Sequence, residues 1–451
     1  MKIAAADLNW NNKALFRLLW PLVVEQLLGV TMGLADTVMV SSVGEHAVSG
    51  VSLVDMINQV LIMAFAALAT GGAVVVSQFI GRKDNANAGL ASRQLIYSST
   101  AVAVVLMVFT LFLRFPILRL VYGSIDQDVM NGAMIYFLVT ALSYPFLAIY
   151  NSSAALFRAA GNSKVTMHIA LLVNILNIGG NAVLIFVFHL GTLGVGLSTL
   201  VSRIAAAVVL TVMLTNTRSA VSLKGLFKIK LSPRLIRSIL NVGIPSGLES
   251  SMFQVGRLLV TRIFTTFGTA AIAANAITSV INSASFMPGS AYGIALLTVV
   301  GQCIGAKNTE AARYYTAKIM KITYSTLIIF SILIFTFMEP LVGAFHLSPA
   351  AHDMAKSFLN VHCFTMAFLW ASSFALPNAL RAAGDVRYVM ITAIASMWTC
   401  RVSIAYILSY GLKLGPIGVW YAMGADFAVR NVCYISRWLS GRWKEHRVIE
   451  E

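Results

Sequence analysis

Residues 21–40 read PLVVEQLLGVTMGLADTVMV, and residues 245–264 read PSGLESSMFQVGRLLVTRIF. Displaced by 224 residues, the two stretches share Pro-x-x-x-Glu, with Pro21 on Pro245 and Glu25 on Glu249. The register runs without a gap over 21–88 and 245–312. It places Gly44 on Gly268, Asn58 on Asn282, Gln78 on Gln302, Gly81 on Gly305 and Lys83 on Lys307. A displacement of 223 then aligns Arg158-Ala159-Ala160-Gly161 with Arg381-Ala382-Ala383-Gly384. Shared apolar composition yields some Ala and Val matches, but it does not hold Pro, Glu, Gln, Gly and Lys in register. The chain is an internal repeat.

The repeated unit is membrane-spanning. Of the 451 residues, 58% are hydrophobic and 11% charged, where a soluble domain carries about 25% charged residues. Mostly apolar runs approaching the roughly 20 residues needed to cross the hydrocarbon core recur throughout, as in Ile169–Phe188. The pattern predicts an all-α polytopic fold of twelve transmembrane helices. They lie near 14–40, 50–80, 93–113, 131–156, 165–188, 195–215, 239–265, 275–303, 314–337, 355–379, 388–409 and 416–436. The first six-helix bundle is expected over 1–215, a basic linker with Ser232-Pro233 over 216–237, and the second bundle with a short tail over 238–451. Six spans per repeat is an even number, so both halves enter from one side, as parallel repeats about an axis along the membrane normal. Two such bundles around a central cavity suit alternating access, and hence a transporter.

The net charge of +16 lies between spans and accompanies no nucleic-acid recognition motif, so no nucleic-acid partner is expected. With the amino terminus in the cytoplasm, 23 Lys and Arg fall in cytoplasmic segments against Arg114, Arg119, Lys356 and Lys413 on the other side. This positive-inside bias predicts cytoplasmic termini and a location in the inner (plasma) membrane. Met1–Asn12 is short and polar, and no cleavable signal peptide is evident. Cys303, Cys363, Cys400 and Cys433 form no CxxC pair, which argues against redox or zinc chemistry. Gly301…Gly305-Ala306-Lys307 lacks the spacing of a phosphate loop. No catalytic set is evident, so neither an enzyme nor a cofactor is expected.

Several segments together resemble the multidrug and toxic compound extrusion (MATE) family of secondary transporters. They are Trp20-Pro21…Leu34-Ala35-Asp36-Thr37-Val38-Met39, Gly44–Val51, Gln78-Phe79-Ile80-Gly81-Arg82-Lys83, the paired Arg-Ala-Ala-Gly loops, Leu193-Gly194-Val195-Gly196, Trp398–Arg401 and Gly415-Pro416-Ile417-Gly418-Val419-Trp420. The resemblance covers nearly the whole chain. It implies a V-shaped pair of bundles and export driven by inward sodium or proton flow. It also implies substrates that are often bulky, amphipathic and cationic.

Ionisable groups at membrane depth are expensive and mark function by default. Asp36 stands alone in the apolar Val30–Val40 neighbourhood. Asn177 and Asn181, four apart, share a helical face, with Asn174 beside it. Amide oxygens with one carboxylate make a hard-oxygen site suited to small cations. The resemblance implies a coupling site, for sodium or a proton, on Asp36, Asn177, Asn181 and Thr199. Some relatives carry a second carboxylate where this chain has Asn181.

Glu25 and Glu249 occupy equivalent repeat positions, which argues first for a structural or gating role, satisfying backbone groups freed near the prolines. Arg257, Arg262 and Arg401 are unusual on apolar spans, with Arg401 expected against Glu249 or Asp426. No Asp or Glu occurs in Phe358–Leu380 of the tenth span, so a second-half cation site there is not expected. Glu249, Met252, Phe253, Gln254, Met287 and Tyr292 are candidate substrate residues, with Phe286, Phe368 and Trp370 as further aromatic lining.

The sequence is best read as a cation-coupled antiporter for small amphipathic or cationic organic compounds, acting as a monomer in the lipid bilayer. A flippase for lipids or lipid-linked glycans is the nearest rival and would call for many more cavity arginines.

Overall fold

A computed structural model describes residues 10–123, 126–216, 220–226, 228–446 and 448–449. Lys2, Arg218 and Arg447, counted above among the cytoplasmic charges, lie outside them. Twelve helical spans follow one another: α1 Asn12–Ser41, α2 Glu45–Gly81, α3 Asn85–Tyr122, α4 Gln127–Leu142 with Tyr144–Ala159, α5 Ser163–Val187, α6 Gly191–Asn216, α7 Pro233–Thr266, α8 Thr269–Ser285 with Met287–Gly305, α9 Thr309–Thr336, α10 Pro349–Ala383, α11 Val386–Gly411 and α12 Ile417–Ser440. Among the described residues, nine helices are each long and apolar enough to cross a membrane, and α4 joins them as a pair bent by 47°. The α4 bend falls at Ser143, where Pro145 lacks the N–H that a continuous helix would use. The remaining spans, α7 and α12, carry the charges Glu249, Arg257 and Arg262, and Asp426 and Arg430.

The two halves share their backbone turns as well as their residues. Left-handed φ recurs at matched positions: Lys83 (61°) and Lys307 (57°), Gly161 (80°) and Gly384 (98°), His189 and Lys413 (both 53°), Gly191 (54°) and Gly415 (70°). Few residues adopt this conformation without strain, so its recurrence marks two copies of one connection pattern. Helix starts match as well. Asp84 caps Asn87 N at 3.0 Å, and Asn308 caps Ala311 N at 2.9 Å.

The chain divides into two compact units at Gly247/Leu248, inside α7. The first unit comprises 13–247. Its cores gather Val40, Val54, Phe137 and Val195 in one cluster and Phe65, Ala103 and Tyr144 in another. The opening turns of α7 pack on α2 so closely that a Cβ on Gly71 would fall 2.4 Å from Ile239 O and 2.9 Å from Gly243 N. The basic connection before α7 is held to α3: Gln94 Nε2 donates to Lys230 O at 2.7 Å, and Ser232 N donates to Gln94 Oε1 at 3.0 Å. The second unit comprises residues from Leu248 onward together with the segment ending at Asn12. Its core centres on Phe264, Phe358, Leu359 and Trp420. Large apolar side chains point outward, among them Phe112 and Leu120 on α3, 82% and 87% exposed. That is the surface a lipid environment selects.

Candidate functional site: a polar cluster at Asp36 and an aromatic cavity

In the first unit, α1 carries Asp36 to α5, where Asn181 Nδ2 donates to Asp36 Oδ1 at 2.5 Å. One turn earlier on α5, Asn177 Nδ2 donates to Thr199 Oγ1 on α6 at 3.4 Å. Ser198 Oγ ties the same helices by donating to Asn177 O at 2.6 Å. This approach depends on Gly180, where a Cβ would fall 2.5 Å from Ser198 Oγ. Directly after Asn181 the helix widens to i→i+5 hydrogen bonding over Ala182–Val187, a distortion common at functional sites. Asn174, Asn177 and Asn181 are buried, and the Oδ1 of each has no hydrogen-bond partner among the described residues. Buried acceptors are normally satisfied. Three unmatched amide oxygens follow one another along α5, the last of them on the asparagine that holds Asp36, an acceptor-rich stretch that a small cation could complete.

In the second unit, Arg381 Nη2 lies 2.7 Å from both carboxylate oxygens of Glu249. Arg401 Nε lies 3.3 Å from Asp426 Oδ2, and Arg430 Nε lies 2.8 Å from Asp426 Oδ1. A cavity of about 680 Å³ opens beside them, its walls including Phe253, Arg257, Phe286, Trp370, Phe374 and Arg401.

One family model, MatE, matches residues 21–183 and again residues 245–407. The chain belongs to the MatE family. The second match begins 224 residues after the first, the displacement of the internal repeat. MatE proteins are membrane transporters, so this chain is a multi-pass transporter and not an enzyme. It is similar to the uncharacterized transporter YisQ of Bacillus subtilis strain 168, at 28% identity over 95% of this chain and 94% of that one. It is also similar to the probable multidrug resistance protein NorM of Thermotoga maritima, at 27% identity over 97% and 94%. Among solved structures, MATE in its bent conformation matches with a TM-score of 0.87 at 21% identity, covering 95% of this chain and 94% of that one. An outward-facing multidrug resistance MATE family transporter matches with a TM-score of 0.87 at 21% identity, covering 95% of each chain. At these identities the structures establish the fold, two six-helix repeats.

In this MatE chain the four residues expected to form the coupling site fall in two hydrogen-bonded pairs, Asp36 of α1 with Asn181 of α5 and Thr199 of α6 with Asn177 of α5. Asn174 lies on the same helix, with its Nδ2 turned back to Ala170 O at 2.9 Å. Of the expected substrate residues, Phe253, Phe286 and Trp370 line the second-unit cavity. Its lining leaves out Met252, Gln254, Met287 and Tyr292; Met287 is buried, and Tyr292 OH approaches Thr326 Oγ1 on α9 at 3.5 Å. Phe368 is 56% exposed and off the lining.

Glu25 and Glu249 do not serve the backbone near the prolines. Each faces an arginine in the last turn of another helix instead, because a carboxylate in an apolar span is best answered by an opposite charge. Arg401 takes Asp426, and Glu249 is held by Arg381.

Sequence reasoning passed over Asp55 on α2. Its Oδ1 accepts from Tyr136 OH at 3.0 Å and from Asn58 Nδ2 at 3.5 Å. Asp55 and Asp36 repel one another, and Arg203 on α6, also passed over, attracts both. Arg203 Nη1 donates to Ser143 Oγ at 2.6 Å. The available signal was a charge standing alone in an apolar run: Val54-Asp55-Met56 and Ser202-Arg203-Ile204.

Proposed function

We propose that the chain is a cation-coupled antiporter that exports small amphipathic organic compounds from the cell by alternating access. It acts as a monomer in the inner (plasma) membrane with both termini in the cytoplasm. The observation that carries this reading is the Asp36 carboxylate at 2.5 Å from Asn181, on a helix with three buried, unmatched amide oxygens.

Sodium would be held by Asp36 together with the oxygens of Asn177, Asn181 and Thr199, supplying a positive charge that the neutral amides alone do not hold. A proton would instead reside on Asp36. Either ion drives transport only if it binds one conformation better than the other. Entry of the ion at Asp36 from outside, linked to substrate release there, provides that difference. The relatives named for multidrug resistance support export of small organic compounds as the direction and substrate type.

The deciding experiment loads purified protein into proteoliposomes and imposes sodium and proton gradients separately. Substrate efflux that follows one gradient, and that Asp36→Asn loses, is the expected result. Efflux indifferent to both gradients in the wild type would refute the reading.

A further inference from the structure

Among the described residues, no carboxylate lies on the lining of the second-unit cavity. The charged residues that face it are Arg257 and Arg401. Arg401 sits where α11 widens to i→i+5 bonding over Met397–Ser403, with its side chain 8% exposed. The carboxylate it approaches, Asp426, is also taken by Arg430 at 2.8 Å. Two guanidiniums share one carboxylate, so one positive charge is left over beside the cavity. Glu249 cannot offset it, because Arg381 holds both its oxygens and it stands off the lining. Arg257 is exposed and has no ion-pair partner among the described residues.

The opposite requirement, a surface for a flat apolar body, is also present. Phe286 stacks on Trp370 at 5.7 Å between centroids, and Trp370 stacks on Phe374 at 5.3 Å. Gly289 makes room for this wall, since a Cβ there would fall 2.4 Å from Trp370 Cζ3. Aromatic faces attract cations, but here guanidiniums already take up several of them: Arg401 lies 5.1 Å from the Phe253 centroid and 5.2 Å from that of Phe427. An incoming cation meets excess positive charge and no carboxylate.

We propose that this cavity binds small aromatic anions, with Arg257 and Arg401 holding the negative group and the Phe286–Trp370–Phe374 wall holding the ring system. This names the substrate class for the transport proposed above and rests on that reading only for the ligand's passage across the membrane.

The test uses two soluble probes of matched shape, naphthalene-2-sulfonate and (2-naphthylmethyl)trimethylammonium, titrated calorimetrically into the purified protein in detergent. The sulfonate is expected to bind at least about tenfold more tightly, as expected when a charge-assisted contact is made by one probe and not the other. Arg257→Gln removes an exposed side chain and should weaken the sulfonate about tenfold without weakening the ammonium compound. Equal affinity for the two probes, or sulfonate binding untouched by Arg257→Gln, would overturn the proposal.

Short-chain phosphatidylglycerol, an anionic amphiphile without a ring, should compete poorly. Competition as strong as the sulfonate's own would overturn the aromatic part of the assignment. Binding and transport fail separately. Arg257-dependent sulfonate binding without gradient-driven export would support this inference against the transport reading. Gradient-driven export of the ammonium probe alone would support transport and refute the anion assignment.

Discussion

Arg158 Nη1 lies 2.6 Å from Glu25 Oε1, joining the last turn of α4 to the middle of α1. Arg381 repeats the contact with Glu249 at 2.7 Å, joining the last turn of α10 to α7. Each glutamate stands four residues after a proline inside its helix, and each arginine opens an Arg-Ala-Ala-Gly turn. The surroundings differ in detail. Thr166 Oγ1 donates to Glu25 Oε2 at 2.6 Å, whereas Arg381 Nη1 donates to Asn378 Oδ1 at 2.9 Å. A contact kept in both halves despite different neighbours serves what the halves share, which is the fold.

The first prediction follows from that pair. Glu25→Gln and Glu249→Gln each leave an arginine without its counter-charge and should destabilise the protein by about 2 kcal/mol, below the range for fully buried pairs because the arginines remain partly solvated. The double variant Glu25→Gln with Arg158→Gln should be more stable than the sum of its singles, with a coupling of about 1 kcal/mol. Thermal unfolding of the purified variants measures both quantities, and additive losses would count against the pair. Ion dependence of transport should survive in Glu249→Gln; its complete loss in stable protein would move the coupling site to the second half.

A second prediction concerns the seam where α7 meets α2. Gly71 has no room for a side chain against the backbone of Ile239 and Gly243. Gly71→Val should therefore cost about 1–3 kcal/mol through overpacking. Gly29, with nothing within 4 Å of its added Cβ, serves as the control position: Gly29→Val should leave the melting temperature nearly unchanged. A Gly71→Val protein as stable as wild type would show that the two helices do not pack as described.

Orientation gives the third. In a background lacking the four native cysteines, a single cysteine at Lys228 should react with an impermeant maleimide only from the cytoplasmic side. One at Ser348, which caps the start of α10, should react only from outside. The reverse labelling would overturn the orientation and the export direction argued from it.

The repeat was legible because strained turns write themselves into sequence. Positions needing left-handed φ fall on the same residues in both copies, as at Gly161 and Gly384 or Lys83 and Lys307. The candidate site was legible in part: the four-residue spacing of Asn177 and Asn181 fixes a shared helical face, while the family resemblance joined it to Asp36. Partners across helices were not. Glu25 and Arg158 are 133 residues apart, and no local pattern states that distance. Asp55 and Arg203 each stand alone in an apolar run, so neither could be sorted into site or charge compensation before the fold brought them near Asp36. The cavity lining was the least legible. Apolar side chains surround α7 and α8, and composition does not say which of Met252, Phe253 and Gln254 faces the open space.

The central prediction concerns Asp36. Asp36→Asn preserves size and removes both the charge and the titratable proton. The variant should insert and fold, since an amide at membrane depth costs less than a carboxylate. Asn181 Nδ2 would then face a neutral oxygen in place of a carboxylate, so the contact weakens without disappearing. Substrate binding should persist, because the cavity lined by Phe253 and Trp370 belongs to the other unit. Coupling should not persist. A ligand shifts a conformational equilibrium only by its differential affinity for the two states, and an ion that no longer binds shifts nothing. Asn177→Ala should weaken coupling less, since it removes one neutral oxygen and leaves the charge. Gradient-driven efflux and substrate binding, measured on the same purified preparations, separate these outcomes. Efflux by Asp36→Asn that follows a sodium or proton gradient as steeply as wild type would sink the mechanism, because no other carboxylate contacts the three buried asparagines of α5 among the described residues.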